Sequence, residues 1–231
     1  MKTNFISIIF TTVSVLFCMP AFSQINEVGY EQNVKHKDLR IAVGGGYAMR
    51  AGSVLKTGNK TVDDMSSKLR HGVAIDADGQ YFFKETWGIG FNANTYSSST
   101  SGGGFTMEGF EGNINNYEET QRIVYVGPSF ATRLETDKFL LTASVGVGHL
   151  FFMDNITVNG IEGKGNQTTF GANVTLGGEY KLKNKMGLGL KLSQITGTID
   201  SMNFEGQKVK SDEAMNVSSF TVSLFLSFRS W

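Results

Sequence analysis

Apolar and polar residues alternate along most of the chain, the period of a strand with one face in an apolar medium. In 39–51, Leu39, Ile41, Val43, Tyr47 and Met49 oppose Arg40, Ala42, Gly44, Gly46 and Arg50. In 71–83, Val73, Ile75, Ala77, Tyr81 and Phe83 oppose Asp76, Asp78 and Gln80. In 87–96, Trp87, Ile89, Phe91 and Ala93 oppose Gly88, Gly90, Asn92 and Asn94. Segment 122–134 is apolar on parts of both faces, and its Pro128 predicts a bulge or a locally missing ladder bond. Segments 139–152, 169–182 and 187–194 alternate again, and a last strand is expected from about Val217 to Trp231.

Eight strands follow, and their connections fall into two classes. Strands 2–3, 4–5 and 6–7 are joined by "KET", "ETD" and "KNKM". The other four connections run to about 15–19 residues. Short and long alternate, which predicts an all-β, antiparallel up-and-down barrel with short turns at one rim and long loops at the other. The long segments, "SVLKTGNKTVDDMSSKL", "SSSTSGGGFTMEGFEGNINNYEE", "MDNITVNGIEGKGNQ" and "DSMNFEGQKVKSDEA", are polar and of mixed charge.

The start of the chain changes the picture. "MKTNFISIIFTTVSVLFCMPAFSQ" has a charged start, a short apolar run and a small-x-small site, which predicts a secretory signal peptide over 1–23. A polar tail, 24–37, and a barrel domain, 38–231, follow. Cys18 falls inside the signal, so the exported chain has no cysteine. Lys2 is the only charge in 1–23, and its removal leaves 20 basic and 21 acidic residues. Without a basic stripe, nucleic acid is not an expected partner. After the signal no apolar run approaches a helical membrane span.

Alternation alone does not say which face is inside. A lipocalin has eight strands with the apolar face lining a ligand cavity. Three features favour the opposite arrangement, with the apolar face toward lipid. The non-apolar face is rich in glycine, which suits a crowded barrel interior better than a solvated surface. It carries both charge signs, at Arg40, Arg50, Asp76, Asp78, Arg133, Glu179, Lys181, Lys191 and Arg229, as an interior network would. Large aromatics, Tyr81, Phe82, Phe83, Trp87, Phe139, Tyr180, Phe228 and Trp231, gather beside the short turns, where an interfacial girdle belongs. A barrel in lipid must close on itself, so the last strand should pair with the first. Phe220, Val222, Leu224, Leu226 and Phe228 would then form one lipid face, with Trp231 out of phase.

The signal peptide, eight strands and aromatic C-terminus resemble small outer-membrane β-barrel proteins. "YVGPSF" at 125–130 and the "LSFR" ending are similar to the porin-like outer-membrane β-barrel domain family of Bacteroidetes-type bacteria. The resemblance implies a cell outer-membrane protein facing lipid and lipopolysaccharide, assembled by the barrel-assembly machinery from its C-terminal strand and expected to be a monomer. It implies no cofactor.

Candidate chemistry is sparse. An enzyme acting on lipid A or surface peptides would need a His beside a Ser and a carboxylate. His36 lies in the polar tail and His71 at the long-loop rim. His149 falls on the apolar face, so a lipid-interface role is expected for it. "DADG" at 76–79 lacks the remaining acids of a calcium loop and reads as interior charge, so no metal site is expected. Eight strands leave a lumen filled by side chains, so no wide pore is expected. The expected role is a membrane scaffold whose four long loops serve adhesion, surface recognition or envelope stabilisation.

Overall fold

In the last strand every outward residue is large and apolar. Phe220, Val222, Leu224, Leu226 and Phe228 are between 37 and 62% exposed, while Ser219, Thr221, Ser223, Phe225, Ser227 and Arg229 between them are buried. The same rule holds around the molecule. Leu39, Ile41, Val43, Val73, Ile75, Ile89, Phe91, Phe139, Val147, Phe170, Leu188 and Leu190 all point outward and are exposed. The apolar side of each strand is thus the outer one. The inverted, ligand-lined arrangement of a lipocalin is excluded.

The structure is a computed structural model and describes residues 38–51, 60–106, 112–204 and 207–230, with backbone alone at 208 and 211–213. The expected signal peptide and tail, His36 and Trp231 lie outside the described residues. The elements are β1 (Asp38–Arg50), α1 (Lys60–Lys68), β2 (His71–Phe82), β3 (Trp87–Gly102) and β4 (Tyr117–Glu135). They continue with β5 (Phe139–Val158), β6 (Ile161–Lys181), β7 (Met186–Phe204), β8 (Gln207–Asn216) and β9 (Ser219–Arg229). All pairings are antiparallel. They run β1 to β2, through β3, β4, β5 and β6 to β7, then β9 and back to β1, which closes a ring of eight. β9 pairs with β1 from Arg40↔Arg229 to Arg50↔Ser219, and with β7 from Met186↔Phe228 to Ile195↔Ser219. No strand edge is left open in the apolar band, as a lipid environment requires.

Most of the expected long loops are strand. β5 and β6 continue to a two-residue turn at Asn159 and Gly160, both with positive φ (50° and 85°). That is the I′ geometry that Asn-Gly favours. β7 and the additional strand β8 form a second hairpin above the ring, from Thr198↔Asn216 to Phe204↔Gln207. β3 and β4 pair as far as Gly102↔Tyr117, and an isolated bridge joins Phe105 and Ile114 beyond them. Helix α1 lays Met65 on Phe105 and Ile114, and this small apolar cluster fastens the helix to the rim. Between β4 and β5 the register is the same on either side of Gly127 and Pro128, but these two have no partner on β5. The missing ladder bond expected of Pro128 is there, without a bulge.

One aromatic is misplaced in the expected girdle. Phe82 is fully buried inside the barrel, because it alternates with the outward Tyr81. The Arg133 guanidinium carbon lies 4.3 Å from its ring centroid. Tyr81, Phe83, Phe139, Tyr180 and Phe228 are outward and exposed, and Trp87 stacks on Phe130.

Candidate functional site: the filled lumen and its outer rim

Inward side chains fill the lumen in successive layers, beginning at the short turns. At that rim Arg133 pairs with Asp38 and donates from Nε to the Glu85 carbonyl at 2.7 Å. Glu135 is the shared partner of Lys181, of Arg229 at 3.4 Å and of Arg133 at 3.8 Å. Lys181 is therefore a rim residue, partly exposed beside the turn, and also donates to the Thr136 carbonyl at 2.6 Å. It does not reach the deeper charges.

One layer further in, Arg40 donates from Nη1 to Asp78 at 2.6 Å, and from Nη2 and Nε to Glu179 Oε2 at 2.8 and 3.1 Å. Lys191 pairs with both Asp76 and Asp78. Arg229 approaches Glu179 at 3.9 Å and links this layer to the rim. Phe225 sits among these groups, with Lys191 Nζ 5.0 Å and the Arg40 guanidinium carbon 5.2 Å from its centroid. Together the two layers hold the cations Arg40, Arg133, Lys181, Lys191 and Arg229 against the anions Asp38, Asp76, Asp78, Glu135 and Glu179. That balance is what makes burial of so many ions tolerable, since an unpaired one would cost several kcal/mol. Glycine makes the room. A Cβ at Gly187 would stand 2.8 Å from Glu179 Oε1, and one at Gly189 2.6 Å from Phe225 Cζ.

Neutral polar groups form the next layer. Asn92 donates to Asn173 at 2.8 Å and to Ser144 at 3.1 Å, and accepts from Ser129 at 3.2 Å. Thr175 donates to Asn173 at 3.1 Å. Asn173, fully buried, thus points into the barrel. Above it the lumen turns apolar: Ala48, Ala74, Tyr96, Ile123, Tyr125, Leu150, Phe152, Ile195, Ile199 and Val217 pack as one buried cluster. This plug accounts for the apolar residues on both faces of segment 122–134. Ile123 and Tyr125 enter the cluster, while Val124 and Val126 face outward.

Arg50 lies beyond the plug, so the expected single charge network is two. Its guanidinium carbon stands 5.7 Å from the Phe152 ring, and it donates to Gln121 and, at 3.1 Å, to the Asn216 carbonyl. Gln121 passes a bond to Glu119 at 2.7 Å, and Tyr117 also donates to Glu119. Asp154 is buried beside them. Outward residues at its level, Thr120, Asn155 and Lys164, are polar, so it stands above the apolar band. Burial raises its pKa from 3.8 to about 7, helped by the negative charge of Glu119 and opposed by Arg50. Burial likewise raises the Tyr117 phenol, and its bond to Glu119 adds to this. Gln121, Glu119 and Asp154 were not expected from the sequence, although "YEETQRI" does continue the inward phase of β4.

The histidines sit apart from these groups. His71 bonds the Tyr47 hydroxyl on the outer surface. His149 lies between Phe170, 4.8 Å away, and Phe151, 6.2 Å away, facing outward. Among the described residues no cluster of three or more His, Cys, Asp or Glu side chains is arranged to hold a metal ion.

A closed ring with an apolar exterior and a polar, ion-paired interior can be compared directly with known barrels. The outer-membrane protein OprG from Pseudomonas aeruginosa matches with a TM-score of 0.55 at 13% identity, over 85% of this chain and 97% of that one. A major outer-membrane protein from Thermus thermophilus matches with a TM-score of 0.51 at 10% identity, over 84% and 99%. The fold is an eight-stranded outer-membrane β-barrel. At these identities the likeness shows the fold alone. No protein-family model matches the sequence, and no curated protein matches it.

Proposed function

We propose that this chain is an outer-membrane scaffold, exported by a cleaved signal peptide and inserted as a monomer by the barrel-assembly machinery. Its work is done at the outer rim, in adhesion, surface recognition or envelope stabilisation. The observation that carries this reading is the filled lumen. Paired ions, Phe225, an amide layer and an apolar plug follow one another along the axis. A solute-conducting role leaves no path through these layers, so what the barrel can offer is what it raises above the membrane. Among the described residues that surface consists of paired strand extensions, the β3–β4, β5–β6 and β7–β8 hairpins, with α1 at the rim. Paired extensions lose less conformational entropy on binding than free loops.

The same reading is non-enzymatic. His71 and His149 are engaged with Tyr47 and with phenylalanines on the outer surface, away from the buried carboxylates. Placement in the porin-like family rests on "YVGPSF" and the C-terminal strand. Two measurements test the proposal. An epitope inserted between Asn159 and Gly160 should be labelled on intact cells. Purified barrels in planar bilayers should pass no steady current. Epitope labelling only after the outer membrane is permeabilised would reverse the orientation, and sustained ohmic conductance would replace the scaffold with a channel.

A further inference from the structure

Strands β3 to β6 continue above the apolar band, and their registers align the outward side chains in rows. Ala93, Val126, His149 and Phe170 form one row, and Thr95, Val124, Phe151 and Thr168 the next. Above the aromatic and aliphatic groups comes Ser97, Arg122, Met153 and Asn166, then Ser99, Thr120, Asn155 and Lys164. Acids appear only in the third of these upper rows, at Glu118 and Glu162. Two cations are thus set among hydroxyls and amides directly over a lipid-facing surface.

Arg122 points outward and is exposed, and no described residue forms a hydrogen bond or ion pair with it. Lys164 pairs with Glu162 at 3.3 Å, with both side chains about two-thirds exposed. Two strand spacings and two residues of rise separate Arg122 from Lys164, ~12 Å between Cα atoms, and both long side chains can reach one headgroup between them. The opposite wall differs. The outward row of Gln194, Phe220 and Met49 on β7, β9 and β1 has no cation.

We propose that this face of β3–β6 binds the phosphorylated sugar headgroup of an outer-leaflet glycolipid, with Arg122 and Lys164 holding phosphate. The proposal rests on the membrane reading above. A guanidinium that no described residue engages, just above the hydrocarbon edge, is placed to meet phosphate. The surrounding Ser97, Ser99, Thr120, Asn155 and Asn166 supply hydrogen-bond partners over two rows, a depth that suits sugar hydroxyls better than a small phospholipid headgroup. Acyl chains of the same molecule would lie on Val124, Val126, Phe151 and Phe170 below.

The test is native mass spectrometry of the full barrel released from micelles containing lipid A or its dephosphorylated form. Folding is checked first by heat-modifiable gel mobility. The wild-type barrel should retain lipid A in preference to the dephosphorylated form. The Arg122→Gln/Lys164→Gln variant should lose that preference by on the order of tenfold, while Lys210→Gln on β8 should not. Excess inorganic phosphate should leave lipid A bound. Equal retention of both lipids, an unchanged Arg122→Gln/Lys164→Gln variant, or displacement by inorganic phosphate would each overturn the site. A barrel that fails to enter membranes would instead overturn the reading beneath it.

Discussion

Arg40 on β1 and Glu179 on β6 meet inside the barrel with Nη2 and Oε2 2.8 Å apart, although 139 residues separate them in the chain. Two strands, β9 and β7, stand between them on the shorter way around the ring. The contact therefore ties one wall to another across the lumen. Arg40 also holds Asp78, which Lys191 shares with Asp76.

Removing one member strands a buried ion. Glu179→Ala leaves Arg40 with Asp78 and the Gln80 side-chain oxygen, withdraws the nearby carboxylate from Arg229, and should destabilise the barrel by about 3–5 kcal/mol. Arg40→Met combined with Glu179→Leu should recover part of that loss, because one buried cation and one buried anion leave together and Asp78 keeps Lys191. Guanidinium unfolding of the refolded barrel in detergent measures both. A double variant no more stable than Glu179→Ala would show that the pair is not coupled.

The assignment of faces can be tested side chain by side chain, because a one-residue slip would reverse all of them together. Single cysteines at Val174, Leu176, Leu190 and Leu224 should react with a lipid-soluble probe, and those at Asp76 and Glu179 should not. Leu224→Arg, at a position 62% exposed to lipid, should cost about 2–4 kcal/mol. Lipid labelling at Asp76 with none at Leu224 would invert the barrel.

The strand centres were legible because lipid enforces strict alternation there, as in Phe220 to Phe228 and Val174 to Tyr180. Above the band both faces of a strand can be polar, and the signal fades. "YEETQ" and "NITVNGIEGKGN" therefore read as loop, although the Asn159-Gly160 pair in the second is itself a strong hairpin signal. β8, "QKVKSDEAMN", has no alternation to find. The interior charges showed as ions on an otherwise small-residue face. Their division into two groups did not, because Arg40 and Arg50 look alike in sequence. Only the apolar plug formed by Tyr96, Ile123, Leu150 and Phe152 separates them. Asp38 and Glu135, at strand ends, had no pattern to mark them as partners of Arg133.

Closure depends on β9, which pairs with β1 on one side and β7 on the other. A chain ending at Ser218 would expose both edges inside the apolar band, where nothing can satisfy their backbone groups. That truncation should give no heat-modifiable species and accumulate as aggregate. Phe228→Asp should weaken assembly while keeping the pairing. Normal surface assembly of the truncated chain would show that another segment can close the ring.

The outer rim should respond to pH through Asp154. Its carboxyl is buried near Glu119, and Arg50 only partly offsets this, so its pKa rises from 3.8 to about 7. Between these values the folded barrel holds a proton that the unfolded chain has released. The contribution of Asp154 to stability should then be greatest below about pH 4 and fall as pH rises toward 7, because folding takes up a proton across this window. Asp154→Asn keeps the shape and removes the ionisation. It should raise the unfolding midpoint at neutral pH and flatten the profile across this window, with little effect at acid pH. Guanidinium midpoints measured from pH 4 to 8 decide the matter. A wild-type midpoint that climbs through the window, or an Asn variant that keeps the wild-type slope, would show that the rim is governed by another group.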